Sequence, residues 1–139
     1  MDHCIFCKII NGDIPSVKLY EDDNVLAFLD ISQTTKGHTL VIPKQHIENI
    51  YNLDEVNAMN VFRFIPRLAK AITKSFDASG INVVNNNNEI AGQTVFHYHI
   101  HLVPRYSNDD GFKVLYTNNM ERYSSDDLKD IANQIQSYI

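Results

Sequence analysis

The stretch that decides the fold is Gln93-Thr94-Val95-Phe96-His97-Tyr98-His99-Ile100-His101-Leu102-Val103-Pro104-Arg105, in which three histidines alternate with apolar residues. Side chains alternate across a β-strand, so this pattern predicts a strand over Phe96–Pro104 with all three imidazoles on one face. Neighbouring histidines on that face would be separated by about 6.5 Å of strand. Tyr98, Ile100 and Leu102 would point the other way, into the core.

A row of three imidazoles fits two kinds of chemistry. The histidines could hold a catalytic zinc ion with an open position. Alternatively, one imidazole could attack phosphorus while its neighbours stabilise the phosphate. The flanking Gly92, Gln93 and Thr94 favour the second interpretation, because flexible backbone, an amide and a hydroxyl suit phosphate oxygens. No H-E-x-x-H sequence accompanies the row.

Hydrophobic patterning outside this stretch predicts an α+β domain with an antiparallel sheet of about five strands. The other strands are predicted over Val17–Glu21, Val25–Asp30, His38–Pro43 and Ile81–Asn85. The predicted helices are a short one over Cys4–Ile10, a long one over Glu55–Phe76 capped by Asp54, and a C-terminal one capped by Ser124 or Ser125. Pro66 lies inside the long helical pattern and predicts a kink or a break there.

Composition narrows the class of protein. The chain has 139 residues, 44% of them hydrophobic, which fits one domain with a real core. Its net charge of −5 argues against general binding to a nucleic acid backbone but leaves room for a small anionic ligand. Apolar runs are too short for a membrane span and the N-terminus lacks a signal-peptide pattern, so we expect a cytosolic protein.

Cys4 and Cys7 form a C-x-x-C pair, which in a cytosolic protein indicates metal binding or redox chemistry. No strand precedes the pair, which favours metal over a thioredoxin-like site. A tetrahedral zinc needs two further ligands. His3 is too close in sequence, whereas His46 follows a predicted strand and could turn back, and His97 lies at the edge of the histidine row. The alternative is a pair of free buried thiols.

At this point the sequence resembles the histidine triad family. The histidine stretch looks like the motif of that family, and further landmarks follow its usual order: Ile5-Phe6-Cys7-Lys8-Ile9-Ile10, Ala27-Phe28-Leu29-Asp30-Ile31, Gly37-His38-Thr39-Leu40-Val41-Ile42-Pro43-Lys44 and Val83-Val84-Asn85. The resemblance is to the bacterial branch related to the nucleoside phosphoramidases. It implies one histidine triad domain over residues 1–139, with a core at about 4–106 and a C-terminal extension with a helix over 107–139.

The resemblance implies a nucleotide hydrolase or transferase that cleaves at the α-phosphate of nucleoside 5′-phosphate conjugates. These would be phosphoramidates, dinucleoside polyphosphates or mixed anhydrides of AMP. The middle histidine, His99, would be the nucleophile and form a nucleotidyl-histidine that water then hydrolyses. His101 would contact the phosphate, and His97 and Gln93 would complete the catalytic set.

The resemblance also implies a nucleotide pocket. Asp30 would accept the ribose hydroxyls, Gln93 and Thr94 would lie near the phosphate or the leaving group, and Asn85 would be a polar site residue on the preceding strand. The remaining predicted binding residues are apolar: Phe6, Ile9, Ile14, Phe28, Leu29, Ile31 and Val95. Without the resemblance, Asp30 would be a surface acid, Asn85 part of a solvated turn, and the apolar residues ordinary core.

Uridylyltransferase relatives carry a structural zinc on a similar cysteine pair and two histidines, which implies Cys4, Cys7, His46 and His97 as ligands here. His38 would be a partner of the triad or an ordinary strand residue. The family implies a purine nucleotide substrate and a homodimer. Two other hypotheses stay open at this stage: a zinc enzyme whose triad binds the metal, and a non-catalytic zinc-stabilised module that binds nucleotides.

Overall fold

Five antiparallel strands form one sheet in the computed structural model, which describes residues 3–139. The strands are β1 (Lys18–Glu21), β2 (Val25–Leu29), β3 (Thr39–Pro43), β4 (Gly80–Val84) and β5 (Ile100–Arg105), in the order β1-β2-β3-β5-β4. The helices are α1 (Ile5–Asn11), α2 (Glu55–Phe76) and α3 (Ser125–Gln136). The predicted α+β class, with about five strands, a long helix and a C-terminal helix, is confirmed.

The two faces of the sheet bury separate apolar layers, as the alternation of side chains along the strands requires. On one face the buried residues Val61, Ile65, Leu68 and Ile72 of α2 pack against a layer that includes Tyr98, Ile100 and Leu102. On the other face α1 packs against the sheet through a second cluster: Phe6, Ile9, Leu26, Phe28, Leu40 and Ile42. The candidate site lies on this α1 side.

The strand predicted over Phe96–Pro104 begins later, at Ile100. β5 pairs with β3 from Leu102 opposite Thr39 to Ile100 opposite Val41. Beyond that point the Tyr98 amide donates to the carbonyl of Ile47 at 2.6 Å, outside β3. The chain therefore bends over residues 95–97, and His97 and His99 both lie outside the ladder.

Pro66 does not break α2, which runs without interruption from Glu55 to Phe76. Proline has no N–H, so the carbonyl four residues earlier, on Phe62, loses its helical partner. Pro66 and Phe62 are both exposed, and water can reach the freed carbonyl. The predicted Asp54 cap is present, because its side chain accepts from the amide of Asn57.

The chain after β5 first folds back and then leaves the body of the domain. Arg105 donates to Asp110 and to the carbonyl of Phe112, which closes a tight loop. Every residue of α3 beyond this loop is exposed. Within residues 3–139, no helix combines the length and the apolar character needed to cross a membrane.

Candidate functional site

The three histidines of the row lie on the α1 side of the sheet, although only His101 belongs to β5. The ring centroids of His99 and His101 are 5.0 Å apart. Phe6 of α1 packs edge-on against His97 at 5.9 Å and against His99 at 5.2 Å. His97 turns toward His46, with 5.1 Å between the ring centroids. The row is therefore divided between a metal-ligand cluster and a pocket.

The hydrogen bond of His99 determines which of its nitrogens is free. Nδ1 lies 2.7 Å from the backbone carbonyl of His97, and a carbonyl can only accept. Nδ1 therefore carries the proton, and Nε2 of the neutral ring keeps its lone pair. Burial lowers the pKa of His99, although the bond to His97 and the charge of Asp30 oppose this. The ring is thus neutral at pH 7, as a nucleophile requires.

His101 is held by a second histidine. The amide of Thr34 donates to Nδ1 of His38 at 3.3 Å, so Nε2 of His38 carries the proton and donates to Nδ1 of His101 at 2.9 Å. Neutral His101 therefore has its proton on Nε2. Burial, followed by the neighbouring His99 and His38, lowers the pKa of His101 to about 4.

Ligand atoms of Asp30, His38 and His101 lie within 4.8 Å of one another, close enough to consider a metal ion. Binding an ion would require a lone pair on Nε2 of His38, where the Thr34 bond places the proton. We therefore interpret the group as a chain of hydrogen bonds that ends at His101.

A pocket of about 250 Å³ opens in front of His99 and His101. It is lined by eleven residues predicted to bind nucleotide: Phe6, Ile9, Ile14, Phe28, Leu29, Asp30, Ile31, Thr94, Val95, His99 and His101. Oδ1 of Asp30 accepts from the amide and hydroxyl of Ser32, at 2.8 and 2.6 Å. Burial alone would raise the pKa of Asp30, but the Ser32 bonds and His38 outweigh it and the pKa is lowered.

Three residues predicted for the catalytic or nucleotide site do not line this pocket: Gln93, Asn85 and His97, the last of which turns to the metal-ligand cluster instead. The side chain of Gln93 is buried, accepts from the amide of Asn88 and donates to the carbonyls of Glu48 and Val95. Its amide is therefore fully used in holding loops together. Asn85 donates to the backbone carbonyl of His99 at 2.9 Å, which places it behind the ring rather than in the pocket.

Four lining residues were missed by the sequence reasoning: Ile5, Pro15, Ser16 and Leu40. Ile5 and Leu40 belong to motif segments that were recognised, so their neighbours could have pointed to them. Ser16 gave no signal in the sequence. Its hydroxyl oxygen is buried and has no hydrogen-bond partner within the described chain.

The predicted metal ligands meet at the N-terminal end of α1. Nδ1 of His97 lies 3.5 Å from Sγ of Cys4 and 3.6 Å from Sγ of Cys7, and Nδ1 of His46 lies 3.3 Å from Sγ of Cys7. In a tetrahedral zinc site the bond lengths place sulfur and nitrogen ligands about 3.6 Å apart. The four side chains therefore fit a zinc ion in spacing as well as in chemistry.

The surrounding groups also suit a metal. Nε2 of His97 donates to the carbonyl of Pro43 at 2.7 Å, which leaves the lone pair of Nδ1 facing the thiols. Burial, together with Cys4, raises the pKa of Cys7 to about 11. The thiol is therefore neutral without a cation, and a bound metal would displace its proton.

Comparison with known proteins places the fold and site in a family. The chain belongs to the histidine triad family, since the model described as HIT domain matches residues 11–108. It is 54% identical over 134 residues to "Protein hit" of Bacillus subtilis, which covers 96% of this chain and 92% of that protein. It is 40% identical over 136 residues to adenosine 5′-monophosphoramidase hnt1 of Schizosaccharomyces pombe, covering 98% of each.

A third relative, adenylylsulfatase HINT3 of Arabidopsis thaliana, is 40% identical over 106 residues, which are 76% of this chain and 54% of that protein. Among solved structures, a HIT family protein from Bacillus anthracis matches with a TM-score of 0.97 and 51% identity, covering 99% and 98% of the two chains. A zinc-bound histidine triad family protein from Mycobacterium smegmatis matches with a TM-score of 0.75 and 35% identity, covering 99% of each.

Proposed function

We propose that the protein is a nucleotide hydrolase that attacks the α-phosphorus of nucleoside 5′-phosphate conjugates with Nε2 of His99. The observation that carries this proposal is the hydrogen bond from His99 Nδ1 to the carbonyl of His97, which leaves a neutral ring with its lone pair at a pocket. Relatives named as a phosphoramidase and an adenylylsulfatase support hydrolysis of nucleotides. Phosphoramidates, dinucleoside polyphosphates and mixed anhydrides of AMP are the candidate substrates.

The reaction has two displacements. Nε2 of His99 forms a bond to phosphorus as the bond to the leaving group breaks, and the product is a nucleotidyl-histidine. The N–H at Nε2 of His101 donates a hydrogen bond to a phosphate oxygen, and His38 fixes that tautomer. Because a neutral imidazole does not give up this proton at pH 7, the leaving group takes its proton from solvent. Water then attacks phosphorus as the bond from phosphorus to Nε2 of His99 breaks, and the attacking water loses a proton to solvent. The nucleoside monophosphate leaves and His99 is again neutral.

Binding contacts follow from the lining of the pocket. The free Oδ2 of Asp30 accepts the ribose hydroxyls, and the apolar wall formed by Phe6, Ile9 and Phe28 takes a purine base. Thr94 and Val95 lie beside the phosphate. Gln93 and Asn85 act by holding the loop and the backbone behind His99, and His97 acts through its carbonyl.

Substitution of the nucleophile tests the proposal. His99→Ala should abolish turnover of an adenosine phosphoramidate, because no covalent intermediate can form, while AMP affinity stays within a few-fold. Quenching without acid should trap a labelled nucleotide on His99 of the unmodified protein, since a phosphoramidate is labile to acid. His3→Ala, at an exposed histidine outside the pocket, is the matched control.

Substantial activity in His99→Ala, or a label on another residue, would refute this role. A protein that binds AMP but turns over no conjugate in a panel read by mass spectrometry would instead be the alternative, a non-catalytic zinc-stabilised nucleotide-binding module.

Zinc on Cys4, Cys7, His46 and His97 is the second part of the proposal, supported by the ligand spacing and by the zinc-bound relative. Its role is structural, because four protein ligands leave no open position. Protein purified without added metal should contain about one zinc per chain by elemental analysis. Cys7→Ser should lose it, whereas Ser16→Ala should keep it. Absence of zinc, with both native thiols freely titratable, would contradict the site.

A homodimer is the third part. The C-terminal extension that we assign to residues 107–139 exposes an apolar stripe on α3 formed by Leu128, Ile131 and Ile135. The fold of the chain, with this extension included, matches a solved relative over 99% of the chain. No residue of α3, however, is buried against its own domain. A second copy of the chain would cover the apolar stripe and so hold α3 in place.

The charges of the two helices support this partner. α3 carries three acids and one lysine, whereas α2 carries four basic residues and one acid and exposes Val56, Met59 and Phe62. We therefore assign the face of α2 as the surface of the second copy that receives the extension. A cytosolic location completes the proposal, because a reducing compartment keeps Cys4 and Cys7 out of disulfides and available to a metal.

A further inference from the structure

Helix α1 belongs to both sites at once. Its N-cap residue Cys4 and its third residue Cys7 supply the two thiols of the metal cluster. Phe6, which lies between the two cysteines in the sequence, lines the pocket together with Ile9. One short helix therefore carries two metal ligands on one side and a wall of the pocket on the other.

The remaining cluster ligands join this wall to distant parts of the chain. Cys4 is separated from His97 by 93 residues, and Cys7 is separated from His46 by 39. A metal ion bound by these residues would act as a cross-link from α1 to the segments after β3 and before β5. Without the ion, the two cysteines and the two imidazoles make only long sulfur–nitrogen contacts of 3.3 to 3.6 Å.

His97 and Phe6 transmit the state of this cross-link to the pocket. His97 faces the thiols with Nδ1, while its backbone carbonyl accepts the bond that orients His99. Phe6 packs edge-on against His99 at 5.2 Å and against Phe28, which lines the same pocket, at 5.7 Å. A shift of α1 would therefore move the wall and release the packing on His99 together.

We propose that Phe6 is a positioning residue through which zinc on the Cys4, Cys7, His46 and His97 cluster raises the affinity of the neighbouring pocket for a nucleotide. The inference rests on the proposed nucleotide pocket and zinc site, and it adds a coupling between them. Such coupling is reciprocal: if zinc tightens nucleotide binding, the nucleotide slows loss of zinc by the same free energy when the rate of zinc binding is unchanged.

The test uses zinc-loaded protein and AMP as the probe. Zinc release to a chromophoric chelator is timed with and without saturating AMP, and AMP affinity is measured by calorimetry before and after zinc removal. We expect at least about fivefold slower release with AMP and at least about fivefold weaker AMP binding without zinc. Hydrogen exchange of the α1 amides should accelerate after zinc removal, even with no nucleotide present.

Two variants locate the coupling. Phe6→Leu should still bind one zinc but lose most of the effect of AMP on its release. Ile10→Val, in the same helix but outside the lining of the pocket, should keep the effect.

The outcomes are distinguishable. If AMP binds but leaves zinc release unchanged, the coupling is wrong and the nucleotide site stands. If Phe6→Leu retains the full effect, Phe6 is not the positioning residue. If AMP binds neither form at millimolar concentration, or no zinc is bound, the corresponding proposed site fails and the coupling fails with it.

Discussion

The backbone carbonyl of His97 fixes the tautomer of His99, and the amide of Thr34 fixes that of His38 and through it His101. Two backbone groups thus prepare one ring with a free lone pair and another with a proton to donate. Neither arrangement needs an acidic partner in direct contact with the reactive ring. Burial keeps both rings neutral at the same time.

The buried His101 makes stability depend on pH. Its pKa is about 4 in the folded protein against 6.5 when unfolded, so the unfolded chain binds more protons between these values. The contribution of neutral His101 to the free energy of unfolding is complete above pH 6.5 and is lost as the pH falls toward 4. Lowering the pH from 7 to 5 should therefore cost about 2 kcal/mol through His101 alone.

Urea unfolding of the unmodified protein and of His101→Gln at both pH values checks this contribution. The variant should lose less stability on acidification by about that amount. An identical pH dependence in the two proteins would show that His101 does not titrate on unfolding. Carboxylates that lie far from His101 are common to both proteins, so their own pH dependence cancels in the comparison.

At the scale of residues, the sequence predicted which residues form the site better than it predicted where their side chains point. Alternation placed the imidazoles of His99 and His101 at one pocket, and the resemblance to the family brought in Asp30, which directly follows β2. Gln93 was expected beside the phosphate, but its three hydrogen bonds to Asn88, Glu48 and Val95 depend on loops that no local pattern describes. The unpaired hydroxyl of Ser16 likewise depends on tertiary packing.

At the scale of elements, α1 shows how a seven-residue helix can be fixed by its surroundings. So short a helix is marginal by itself, and here the Cys4 cap, the Gly12 C-cap and the buried Phe6 and Ile9 hold it. Gly12 has a φ of 84°, a conformation that favours glycine. The start of β5 was predicted too early because an alternating pattern does not show where pairing with the neighbouring strand stops and the chain bends.

The uninterrupted helix α2 gives a prediction about Pro66. Pro66→Ala restores an N–H for the carbonyl of Phe62 and removes the steric conflict, which favours the folded state. Alanine also gives the unfolded chain more conformational entropy than proline does, which offsets part of the gain in stability. We expect the free energy of unfolding to rise by about 1–2 kcal/mol, measured by urea titration. Arg67→Ala, at the next exposed position, is the control, and an unchanged or lower midpoint for Pro66→Ala would contradict the expectation.

At the scale of the whole molecule, the domain divides into a body that buries its own core and an extension that does not. The body ends near the loop closed by Arg105, Asp110 and Phe112. The extension exposes Leu115 and Tyr116 at about nine-tenths of their full areas, in addition to the stripe on α3. The sequence predicted the amphipathic helix but could not say what covers it, because an apolar stripe indicates burial without naming the partner.

A second copy as the partner leads to a prediction about assembly. The unmodified protein should sediment at about twice its 15.9 kDa mass. Deleting residues 113–139, which preserves the loop at Phe112, should weaken the dimer. Ile131→Asp should raise its dissociation constant at least about tenfold, since burial of an isoleucine contributes about 1.5–3 kcal/mol. Asn133→Asp adds the same charge outside the apolar stripe and should leave the constant within a few-fold. A monomeric unmodified protein at micromolar concentration would exclude the dimer, whereas equal effects of the two substitutions would place α3 outside its interface.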